Sequence, residues 1–268
     1  IKKNNHNPKY LRAANVYASQ LDLSSDINKI VANYDVLIFA IPSAFLMSEL
    51  KKVKKPLKEK IIFSAIKGIV PETGLIVGEH FHKEYDIPIE NIAVITGPWH
   101  AEEVAMERLS YLTIACQNLE NAKFMSTSLK SWYIKTKISD DIIGAEYAAM
   151  LKNIYAVAAG IYNGLGYGDN FQAVLISNAV QEIERFVDAL NPIHRDVKSS
   201  AYLGDLLVTA YSNFSRNRTF GSMVGKGYSV TSAQMEMNMT AEGYYAAKSI
   251  IKINEKFKVD IPIAEAVY

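Results

Sequence analysis

The chain has 268 residues, 29 of them basic and 28 acidic, for a formal charge of +1. That balance excludes the global field of a nucleic-acid or membrane-surface binder, so specific chemistry must come from local clusters. With 49% hydrophobic residues, the length suits one large or two ordinary domains around a sizeable core. In chain order, the opening "IKKNNHNPKYL" holds neither a buried first strand nor a glycine-rich turn. Four short apolar, β-rich runs follow: "DVLIFAI" (35–41), "KIIFSAI" (60–66), "NIAVITG" (91–97) and "SYLTIAC" (110–116). Their hydrophobicity is continuous rather than alternating, which predicts strands buried on both faces. The helix-like stretches between them are long enough for crossovers, so a parallel or mostly parallel α/β sheet is expected. It reads as a Rossmann-like sheet truncated at its N-terminal side, lacking an opening unit of roughly 30 residues.

From about Asp140 the pattern changes. "GAEYAAMLKNIYAVAAGIYNGLG" (144–166) is Ala-rich with helical spacing, "FQAVLISNAVQEIERFVDAL" (171–190) continues it, and no convincing strand comes afterwards. The expected division is 1–139 as an incomplete dinucleotide-binding domain and 140–268 as an all-α substrate domain. The single Cys116 makes no internal disulfide and no apolar run reaches a membrane span of roughly 18 residues, which points to a cytoplasmic protein. The sequons at Asn213, Asn217 and Asn238 are then accidental.

Ligands of an open parallel sheet bind beyond the carboxyl ends of its strands, so residues there carry weight. Pro42, before Ser43, reads as a helix start. Lys67, beyond an apolar run and before Gly68, is placed to meet an anion. Within the Ala-rich helix, Lys152 and Asn153 stand among small and apolar neighbours; Lys152 either snorkels out of the helix or is desolvated there, which lowers a lysine pKa toward general acid–base use. Glu146 lies on the face of Asn153. "TAYSNFSRNRTFG" (209–221) reads as a hydroxyl-rich loop without hydrophobic period, in which Arg216 and Asn217 form a phosphate clamp, since the guanidinium fork donates two parallel hydrogen bonds. Asp205 caps a helix or pairs with the lysine. The lysine-rich 51–60 segment is a solvated helix end and loop, and His80 with His82 makes no metal site.

Together, "IFAIPS", "SAIKGIVPETG", "TGPWHAEEVA", "GAEYAAMLKNIYAVAAGIYNGLGYGDN", "LGDLLVTAYSNFSRNRTFG" and "AEGYYAAK" resemble the bacterial NAD(P)-dependent glycerol-3-phosphate dehydrogenases. The match runs over nearly the whole chain in the family's order. The resemblance implies hydride transfer between sn-glycerol 3-phosphate and a nicotinamide, NAD or NADP, supplying a phospholipid precursor. It implies Lys152 as proton acceptor, helped by Lys67 and Asn153 with Asp205 holding the lysine. Substrate contacts fall on Lys67, Gly97, Lys152, Asp205, Ser215, Arg216 and Asn217. Cofactor contacts fall on Lys67, Ala101, Arg216, Thr240 and Glu242. A homodimer is expected on the same ground, with no nucleic-acid partner and no metal. Trp99 departs from the family, which carries a small hydroxyl residue after Gly-Pro. Two other readings stand beside this one: another β-hydroxyacid dehydrogenase, whose carboxylate substrate would also suit Arg216, or a non-catalytic phosphometabolite-binding module.

Overall fold

The computed structural model describes residues 4–8, 11, 14–237 and 241–268. Helix α1 (Ile27–Asn33) leads into β1 (Val36–Phe39), α2 (Ser43–Leu50) and β2 (Ile61–Ser64). A short antiparallel pair, β3 (Ile69–Val70) and β4 (Leu75–Ile76), precedes α3 (Val77–Tyr85) and β5 (Ile92–Thr96). Then come α4 (Ala101–Ala105), β6 (Ser110–Cys116), α5 (Leu119–Leu129) and β7 (Ile134–Ser139).

The main sheet has the order β1-β2-β5-β6-β7. Strands β1, β2 and β5 are parallel, with Val36 opposite Ile61 and Ile62 opposite Ile92. The expected burial on both faces holds for β2 and β5, where Ile62 and Ile92 pack with Leu46, Val77 and Phe81 on one side and Phe63, Ala93 and Ile95 pack with Leu112 and Ile114 on the other, but not for the edge strand β1, whose Ile38 is exposed. The sheet is mostly parallel, as expected, but β6 runs antiparallel to β5, and β7 follows β6 in the reversed direction. Strand β7 was not anticipated. It lies at the sheet's edge with Lys135 and Lys137 exposed, so it lacks the continuous apolar run that marks the inner strands. The β3–β4 pair is too short to leave a pattern.

Past β7, every regular element among the described residues is helical: α6 (Ile142–Gly164), α7 (Asp169–Leu190), a π-helical turn (Ser200–Gly204), α8 (Asp205–Tyr211), α9 (Arg216–Gly225), α10 (Val230–Glu236), α11 (Glu242–Phe257) and α12 (Pro262–Val267). The long α6 is buried on all sides from Gly144 to Gly160, as suits a helix at the centre of a helical layer rather than on its surface. It forms the main helical core with Ile183 and Phe186 of α7, Leu206 of α8 and Ile250 of α11. Its Glu146 carboxylate reaches out of that layer and accepts from the Gly78 amide at 3.0 and 3.2 Å, closing the first turn of α3. Burial pushes the Glu146 carboxyl up to about 8 against the opposing pull of that amide.

Helix α9 crosses α6 backbone to backbone through glycines on both. A Cβ on Gly160 would stand 2.1 Å from the Arg218 carbonyl oxygen, and one on Gly221 would stand 2.1 Å from that of Val157. Gly221→Ala therefore forces the two helices apart. The expected loss is about 1–3 kcal/mol, read as a lower urea midpoint at unchanged slope. A midpoint equal to the parent's would show that the crossing has slack.

No helix among the described residues is long and apolar enough to cross a membrane.

Candidate active site

The carboxyl end of β5 and the loop after β2 meet the middle of α6. Lys67 lies in that loop, and Gly97 follows Thr96 at the end of β5. Gly97 adopts φ of +118°, and a Cβ there would stand 2.7 Å from the Tyr111 carbonyl oxygen, so only glycine fits the exit from the strand. Pro42 precedes the first turn of α2 as its cap, the bland role expected of it.

Lys152 is 3% exposed and Asp205, the first residue of α8, is 1% exposed. Lys152 Nζ is paired with Asp205 Oδ1. The other oxygen, Oδ2, faces Lys67 Nζ at 3.7 Å and accepts from Thr96 Oγ1 at 3.4 Å. One buried carboxylate thus holds both lysines at the strand ends. Burial drives the Lys152 ammonium well below the ordinary lysine range, Asp205 opposes this, and Lys67 pushes the same way as burial. The result is a buried amine whose pKa is brought down toward the range useful for proton transfer.

The 209–221 stretch is not the loop that its composition suggested. Residues 209–211 close α8 and Arg216 opens α9, leaving only 212–215 between them. Ser215 Oγ caps α9 by accepting from the Arg218 amide at 3.3 Å. The hydrophobic period was faint because glycines make part of the contact with α6, beside Phe220, which packs with Val157. The two arginines part company: Arg218 donates to Asn213 Oδ1 at 3.2 Å, while the exposed Arg216 guanidinium has no hydrogen-bond partner among the described residues.

Asn217 is buried and joins three helices. Its Oδ1 accepts from the Gly243 amide of α11 at 2.9 Å, and its Nδ2 donates to Asn153 Oδ1 of α6 at 2.9 Å. A backbone amide only donates, so this chain fixes both side-chain amides. Asn153 is left with Nδ2 as a donor that has no partner among the described residues. Glu242, at the start of α11, has its carboxyl raised by burial and lowered by Arg216, Lys67 and Lys152. The resulting cluster sets three cations, Lys67, Lys152 and Arg216, against two carboxylates, Asp205 and Glu242. That is a local surplus fit for an anion within a chain of almost no net charge.

Of the residues singled out in the sequence, Lys67, Lys152, Asn153, Asp205, Arg216, Asn217 and Glu242 are thus tied together. Ala101 opens α4 just beyond Gly97 and is exposed. Thr240 and the sequon residue Asn238 lie outside the described residues. Thr96 and His100 escaped the sequence, while Trp99, noted there only as a departure from the family, gains a contact. Thr96 binds Asp205 from the last position of β5, a strand-end placement that was the available signal. Trp99 offers its ring to Lys67 Nζ at 5.9 Å, a cation–π contact in place of a hydroxyl. The His100 pKa is lowered by burial and by Lys152 and Lys67, a setting that no local pattern announces.

Family models described as the N-terminus and the C-terminus of NAD-dependent glycerol-3-phosphate dehydrogenase match residues 1–122 and 141–268. A glycerol-3-phosphate dehydrogenase [NAD(P)+] of Clostridium botulinum is 34% identical over 269 residues, spanning 100% of this chain and 80% of its own. The chain belongs to the NAD-dependent glycerol-3-phosphate dehydrogenase family. The Bacillus pumilus member is 33% identical over 100% of this chain and 78% of its own. The crystal structure of the Coxiella burnetii glycerol-3-phosphate dehydrogenase superposes with a TM-score of 0.90 at 26% identity, covering 99% of this chain and 81% of that one. A sheet of Rossmann type followed by a helical layer is the fold of this family member. The family's dinucleotide suits the residues present: the parallel strands β2 and β5 lead to Lys67 and Gly97 beside the cationic cluster, where the exposed Arg216 guanidinium has no hydrogen-bond partner among the described residues.

Proposed function

We propose that the chain interconverts sn-glycerol 3-phosphate and dihydroxyacetone phosphate with NAD or NADP, in supply of phospholipid synthesis. The observation that carries this is the buried Lys152–Asp205 pair beside Lys67, with the Arg216 fork unpartnered nearby. A bound nicotinamide supplies or accepts the hydride. Lys152 takes the proton from the carbinol hydroxyl in oxidation and returns it to the carbonyl oxygen in reduction. Asp205 keeps the amine aimed and its charge in balance. Lys67 and the Asn153 Nδ2 donor polarise the same oxygen. Arg216 takes the phosphate bidentately, and the remaining Nδ2 hydrogen of Asn217 and the Ser215 backbone region flank it. Gly97, at the exit of β5, completes the substrate side.

Lys67, Ala101, Arg216 and Glu242 stand on the dinucleotide side. Residues 1–139 act as the dinucleotide domain and 140–268 as the substrate domain, in a cytoplasmic homodimer. Initial rates decide the substrate. Dihydroxyacetone phosphate is expected to consume NADH or NADPH, while 2-oxo and semialdehyde acids are not. Turnover of those acids alone would make the protein a different dehydrogenase, and phosphate-dependent binding without turnover would make it a binding module.

A further inference from the structure

The proton-carrying pair rests on a second buried carboxylate that takes no part in the chemistry above. Asp141 caps α6, its Oδ1 accepting from the Gly144 amide at 2.9 Å. Its Oδ2 accepts from Arg195 Nε at 2.9 Å and from the hydroxyl of Tyr202. Arg195 is itself anchored by Asp188 and by the Asn191 carbonyl oxygen at 2.8 Å. Burial pushes the Asp141 carboxyl up, but the bonds from Arg195, Tyr202 and Gly144 outweigh it, so the group stays an acceptor for all three.

Tyr202 stands inside the π-helical turn Ser200–Gly204, and Asp205 is the next residue. A π-turn inserts an extra residue into the helical phase and so re-aims everything that follows it. Here the wide turn is closed by the Gly204 amide donating to the Ser199 carbonyl oxygen at 3.3 Å, and Gly204 lies against Pro98 of the β5 exit. Lys152 is carried by the helix that Asp141 caps, and Asp205 by the turn that Asp141 holds through Tyr202. Both members of the pair are therefore referred to one carboxylate.

We propose that Asp141 and Tyr202 are positioning residues that set Asp205 against Lys152 through the π-turn. The inference rests on the reading of Lys152 as the proton carrier. The charged and titratable groups facing Lys152 are Asp205 from α8, Lys67 from the β2 loop, Glu242 from α11 and His100 before α4. Of these, Asp205 holds the ammonium form, so its withdrawal lets the amine lose its proton at lower pH.

The test is Tyr202→Phe, which keeps the ring and deletes the hydroxyl. In oxidation the neutral amine is the active form, so the acid limb of kcat against pH is set by Lys152 and is expected to move to lower pH. In reduction the ammonium is the active form, and the basic limb is expected to move the same way. Turnover is expected to fall roughly 10–100-fold, the scale on which a remote displacement of about 1 Å counts, with little change in KM. Loss of melting temperature with both limbs in place would reduce Tyr202 to a structural residue and overturn the proposal, as would a variant equal to the parent. Failure of the underlying reading is told apart by the parent enzyme. If its pH limbs persist in Lys152→Ala, the proton carrier is another group.

Discussion

Replacing Lys152 by alanine is expected to lower turnover roughly 10²–10⁴-fold in both directions, the range for loss of one general acid–base group. The side chain is buried, its ammonium is destabilised by burial and by Lys67, and Asp205 alone offsets these. Lys67 contacts the other oxygen of Asp205, not the one that pairs with Lys152. The substrate's phosphate contacts are untouched, so KM is expected to change much less than kcat, the mark of an interaction made in the transition state. The variant also leaves Asp205 without its close partner, and stripping one member from a buried pair destabilises by about 3–5 kcal/mol. The double variant Lys152→Ala with Asp205→Asn removes that charge. Stopped assays on both, with folding confirmed by circular dichroism, separate chemistry from stability. Near-parent turnover in either would remove Lys152 from the mechanism.

Arg216→Lys is the second expected loss, and it isolates geometry from charge. Arg216 starts α9, is exposed, and has no hydrogen-bond partner among the described residues, so its five donors are available to a ligand. Lysine keeps the positive charge beside Glu242 but lacks the planar fork. Hydrogen bonds to charged groups contribute about 1.5–3 kcal/mol, which predicts a 10- to 150-fold lower kcat/KM for dihydroxyacetone phosphate. Unphosphorylated dihydroxyacetone has nothing for the fork to hold. Its slow reaction is expected to change little at saturating nicotinamide. Equal damage to both substrates would assign Arg216 to the dinucleotide or the fold instead of the phosphate.

The sequence by itself determined the four apolar strands, the long helices α6 and α7, the change from a sheet to helices near residue 140, and the residue types at the site. It could do so because burial on both faces writes a continuous apolar run, as in "NIAVITG", and helical burial writes the Ala-rich spacing around Lys152. Lys67, Lys152 and Arg216 stood out because cations in apolar or hydroxyl-rich surroundings are rare without a task. Only the tertiary structure decided which of them meet. The reversal of β6 against β5 is a matter of pairing between distant segments, and strand direction leaves no mark on composition. Helix α9 hid as a loop because much of its contact with α6 is made by glycine and backbone, which carry no hydrophobic signal, and Phe220 alone is its fully buried large apolar side chain. Asn217 looked like a free phosphate ligand until Gly243 and Asn153 were found on its two ends, and Thr96 was one more apolar-strand residue until Asp205 was found beside it. The π-turn that aims Asp205 is set by Tyr202 reaching Asp141 across the fold, a partnership between residues 61 positions apart that no local window contains.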